Sequence, residues 1–73
     1  MTVPLLQKVR LITNWTDPAI AEIVGIAIPT VQAYRCGRLP EKLSREQKDK
    51  LLAELRSWFA VVSEAFAEIE MFT

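Results

Sequence analysis

The chain has 73 residues, half of them hydrophobic (51%), with nine Lys+Arg against nine Asp+Glu and no histidine. One small domain is the expectation, near the lower size limit at which a chain buries enough surface to fold alone. A single cysteine, Cys36, excludes an internal disulfide, and the lack of histidine argues against a protein zinc site or a Cys–His nucleophile pair.

The neutral total divides unevenly along the chain. From Met1 to Tyr34 the charges cancel. From Arg35 to Lys50 six cations face three anions, and from Leu51 to Thr73 only Arg56 opposes Glu54, Glu64, Glu68 and Glu70. A basic middle and an acidic tail present different surfaces, and partners respond to the surface rather than to the sum. The longest uncharged run, Ile23 to Tyr34, is interrupted by Gly25 and Pro29 and is too short to span a bilayer. No leader-like apolar segment opens the sequence, so a cytoplasmic location without membrane contact is expected.

In chain order, the hydrophobic periodicity is helical throughout, which predicts an all-α fold of about four helices. Pro4 suits a first helical turn, and Leu5, Val9 and Ile12 follow on one face, with Leu11 and Trp15 beside them. This helix is predicted to end near Asn14. Asp17-Pro18 reads as the start of a second helix with Asp17 as its N-cap, and Ile20, Ile23 and Val24 as its buried stripe. Gly25 supplies a left-handed stop. A third helix is predicted from about Ile28 to Cys36, with Val31 and Tyr34 inward, and Gly37 ends it in the same way. Cys36 itself reads as a half-buried structural thiol.

Ser44-Arg45-Glu46-Gln47 has the pattern of a capping box opening a long last helix. Leu51, Leu55, Trp58, Val62, Ala65, Ile69 and Phe72 recur at spacings of 4, 3, 4, 3, 4 and 3, flanked by Leu52, Phe59 and Phe66. Such a helix is roughly 40 Å long, against a diameter near 30 Å for a domain of this size. Its far end is therefore expected to overhang and to be covered by a second copy through Leu55, Trp58, Phe59, Val62, Phe66, Ile69 and Phe72. The alternative is that the stripe folds back over the first three helices as ordinary core. The two regions, 1–43 and 44–73, are read as a three-helix unit and an amphipathic helix packed on it.

Two short helices joined by a tight turn with glycine form a helix-turn-helix signature. Residues Ile20 to Gly37 resemble the helix-turn-helix of Cro-type phage repressors. The family's small residue, its glycine four positions on and its β-branched residue six beyond that correspond to Ala21, Gly25 and Val31. The resemblance covers roughly residues 5–43 and implies a DNA-binding regulator, acting as a homodimer on double-stranded DNA without a cofactor. It implies base-facing positions at Ile28, Pro29, Gln32 and Ala33, and places Thr30, Arg35 and Arg38 for phosphates; the basic segment that runs on into the last helix adds Lys42 and Arg45 as phosphate contacts. Gln32 suits the N6 and N7 edge of adenine.

The family's usual N-cap serine is Ala27 here, and the third helix opens on apolar Ile28-Pro29. A second reading follows from that departure: a protein-interaction module on the same scaffold, such as a phage inhibitor of a host protein, with Ile26, Ile28, Pro29 and Ala33 as its contact patch. Glu64 and Glu68 lie one helical turn apart but have no nucleophile or base nearby in sequence. An enzyme is not expected.

Overall fold

The structure is a computed structural model that describes residues 3–72, and within them the fold is all-α. Four helices follow one another: α1 (Leu5–Thr13), α2 (Asp17–Val24), α3 (Ile28–Arg35) and α4 (Arg45–Met71). Local chemistry sets nearly every boundary. Asn14 turns left-handed at φ 60° to close α1, and Gly25 does the same for α2 at φ 82°. After α3, the Gly37 N–H donates to Tyr34 O at 3.2 Å and the Arg38 N–H to Ala33 O at 2.9 Å. With Gly37 at φ 77°, this is a Schellman closure.

The α2 cap corrects the sequence expectation. Thr16, in extended backbone, is the N-cap, and its Oγ1 accepts the Ala19 N–H at 3.3 Å. Asp17 already lies inside the first turn, which leaves its carboxylate for longer-range work. The capping box before α4 is as expected. Ser44 Oγ accepts the Gln47 N–H at 3.1 Å, and the Ser44 N–H donates to Gln47 Oε1 at 2.8 Å.

The core consists of Leu6, Val9, Ile20, Ala21, Val24, Val31 and Leu51, with Trp15, Ile23, Ile26, Tyr34, Leu43 and Leu55 packed partly against it. Thus α3 packs on α1 and α2, and α4 packs on α2. Ala21 is buried where a larger side chain would push these elements apart. The expected face of α1 is shifted by one residue. Leu6 and Val9 are buried, whereas Leu5, Leu11 and Ile12 are exposed, because α1 docks on α3 through its Leu6–Val9 edge. Only the first part of α4 reaches the core. Leu51 is buried, Leu55, Trp58 and Val62 are half-buried, and every described residue from Ser63 onward is exposed.

The molecule measures 45 × 26 × 20 Å, with a radius of gyration of 14.2 Å. A compact chain of this length would have about 11 Å. The excess reflects α4, which runs straight past the bundle rather than folding back. Among the described residues no helix is long and apolar enough to cross a membrane.

Candidate nucleic-acid interface

The side of α3 opposite Val31 is the open one. Pro29, Gln32 and Cys36 are exposed along it with Ala33 half-buried among them, while Ile28 is exposed at the start of the helix, one turn before Val31, and Thr30 is half-buried. Gln32 is the only one of these with a full hydrogen-bonding amide to offer. Cys36 is exposed, not half-buried as expected, because five residues of helix carry it well away from the direction of Val31.

The start of α3 has little capacity to grip an anion. Its N-cap Ala27 has no side-chain bond to give, Pro29 has no N–H, and the Thr30 and Val31 amides are both taken by Ala27 O, at 3.0 and 3.1 Å. That leaves the Ile28 amide as the one open donor of the first turn.

Arg35 is not presented to solvent as the sequence led us to expect. Its Nε donates to Asp17 Oδ1 at 3.0 Å and its Nη2 to Asp17 Oδ2 at 3.1 Å, the paired geometry that suits a guanidinium and a carboxylate. Its Nη1 donates to Gln7 Oε1 at 3.3 Å, and Arg10 Nη1 reaches the same Asp17 Oδ1 at 3.1 Å. Asp17 is only 7% exposed and stays ionised because two cations and three hydrogen bonds replace its water. The bonds from Arg35 hold its carboxyl below the usual range against the opposing effect of burial, and they hold the guanidinium protonated in turn. One acid therefore ties α1, α2 and α3 together. Nothing in the sequence pattern signalled it, since Asp17 and Arg35 are 18 positions apart.

Glu41 has a similar role. Its carboxylate accepts the Leu5 N–H at 2.7 Å and the Leu6 N–H at 2.9 Å, so the connector before α4 caps the start of α1. Asp17 takes up Arg35, one of the six cations of the basic segment, and Glu41 is turned to the α1 amides, so the segment's open surface rests on its other residues. Among the described residues, Arg38, Lys42, Arg45 and Lys48 make no ion pair, while Lys50 pairs with Glu46 at 3.6 Å. Arg38 is exposed just beyond α3. Lys42 lines a shallow depression with Leu5, Glu41, Leu43 and Lys48, so Lys48 joins the expected cations there. Arg45 is the exposed first residue of α4.

No protein-family model, curated protein or solved structure matches the chain.

The residues expected at a subunit seam divide in two. Leu55, Trp58 and Phe59, with Arg56 and Ile12 of α1, line an apolar groove of about 290 Å³ where α4 leaves the bundle. Trp58 thus sits at the groove and not in the core. Phe66, Ile69 and Phe72 lie beyond it, on the projecting part of α4, and are exposed. Val62, half-buried, stands between the two groups.

Proposed function

We propose that the chain is a small DNA-binding regulator of transcription, with α2 and α3 as a helix-turn-helix and α3 as the recognition helix. The observation that carries this reading is the outward face of α3. Val31 anchors the helix to the core, leaving Gln32 exposed between Ile28, Pro29 and Ala33. Gln32 is assigned the reading of an adenine edge, and its apolar neighbours contact with thymine methyl groups. Thr30, Arg38, Lys42 and Arg45 are assigned to phosphates, with Lys48 added beside Lys42. Arg35 is left out, because its guanidinium serves Asp17. Binding as a homodimer through α4 would give a two-fold site.

Mobility shifts on random-sequence and enriched duplexes across a salt series test this directly. Affinity is expected to fall steeply with salt, and Arg38→Ala or Lys42→Ala to reduce the logarithmic slope by about one unit each. Gln32→Ala should instead relax sequence preference at one base pair and leave the slope unchanged. No shift at low salt and micromolar protein would eliminate DNA binding. The exposed Ile28 and Pro29, together with the weak anion grip of the α3 start, favour one other reading, in which the same face binds a protein partner.

A further inference from the structure

We infer that α4 pairs antiparallel with α4 of a second copy, the projecting end of each helix lying in the groove that Ile12, Leu55, Arg56, Trp58 and Phe59 form on the other. This deepens the dimer part of the preceding reading and does not depend on DNA binding.

Three observations support it. The first is area. Phe59 is 65% exposed, Phe66 62% and Phe72 89%, so these three rings alone leave roughly 400 Å² of apolar surface in water per chain. Exposed Leu52 and Ile69 enlarge the same face towards the roughly 800 Å² per partner of a stable interface. The second is shape. The groove lies where α4 leaves the bundle, and it is apolar apart from Arg56. The remaining apolar surface of α4, at Phe66, Ile69 and Phe72, is at the C-terminal end of the helix. Each copy thus carries a groove at the middle of α4 and a plug at its end, and two helices seat both plugs in both grooves only when they run in opposite directions.

The third observation is charge. Up to and through the groove α4 mixes Arg45, Lys48, Lys50 and Arg56 with Glu46, Asp49 and Glu54, whereas beyond the groove it carries Glu64, Glu68 and Glu70 and no Lys or Arg. Parallel pairing would set the two acidic ends side by side, whereas antiparallel pairing separates them and also opposes the helix dipoles.

Sedimentation equilibrium on the full chain without DNA is the test. The wild type is expected to be a dimer at micromolar concentration. Phe66→Glu should be a monomer that still melts cooperatively, since Phe66 is outside the core. A spin label at Leu52→Cys, in a chain carrying Cys36→Ala, should lie about 30 Å from its symmetry mate when the helices cross antiparallel near Val62. In a parallel pair the two labels would be separated by little more than the interaxial distance, about 10 Å. A monomeric wild type, a Phe66→Glu dimer, or a label separation at the parallel value would each overturn the inference. Gln32→Ala and Arg38→Ala should dimerise like the wild type, so a failure of DNA binding is read separately from a failure of pairing.

Discussion

Asp17 holds more of this fold than any other polar residue. Its carboxylate joins Arg10 of α1 and Arg35 of α3 from the first turn of α2, and three charge-assisted bonds converge on it. Because Arg35 holds the carboxyl below its ordinary value of 3.8, the stability it contributes is complete above that value. It is lost as pH falls through the lowered one. Asp17→Asn keeps the shape but not the charge. It should lower stability by about 2 kcal/mol at neutral pH and flatten the acid side of a stability–pH profile, both measurable by urea denaturation. Arg35→Ala should destabilise in the same direction and by less, since Arg10 still holds the Asp17 carboxylate. Arg35 also shows where residue-level reading of a sequence stops. An arginine at the end of a candidate recognition helix looks like a phosphate ligand until the fold brings an acid from another helix to it. Gln32 has no such partner, and its assignment needed only the position of Val31 one residue before it.

The element boundaries were legible because they are written in local chemistry. A capping box spans four residues, and a left-handed closure needs one glycine, so Ser44–Gln47, Gly25 and Gly37 could be read without knowing the fold. The choice of buried face was less legible. On α1, Leu5, Leu6, Val9, Leu11 and Ile12 offer two overlapping apolar stripes, and packing against α3, not periodicity, selects Leu6–Val9. The Glu41 cap on α1 was hidden for the same reason, since it spans 36 positions. Gly25 gives a clean measurement of what a closure contributes. A Cβ built there meets nothing within 4 Å, so Gly25→Ala carries only the backbone cost of φ 82°, about 1 kcal/mol. Gly25→Asn should cost less, because asparagine enters the left-handed region more readily. Thermal melts of the two variants beside Ser44→Ala, which removes the α4 cap for about 1 kcal/mol, should place Asn above both others.

At the scale of the molecule, the fold separates a core from a rod. Among the described residues, every buried apolar one lies at or before Leu51, and the last partly buried side chain packed against the core is Leu55. The part of α4 beyond the groove contributes helix but almost no internal packing. An isolated helical extension of that length is marginal in water, and its aromatic residues give it no reason to remain solvated. If a second copy covers it, folding and association are linked, and the melting temperature of the full chain rises with concentration by mass action. A chain ending after Val62 retains the whole core and the groove but lacks Phe66, Ile69 and Phe72. It should fold with a melting temperature independent of concentration over a hundredfold range, while the full chain shifts upward across the same range. Differential scanning calorimetry on both distinguishes the cases. A full chain whose transition ignores concentration would mean that the rod is stable alone, and a truncated chain that fails to fold would mean that the core extends further along α4 than Leu55.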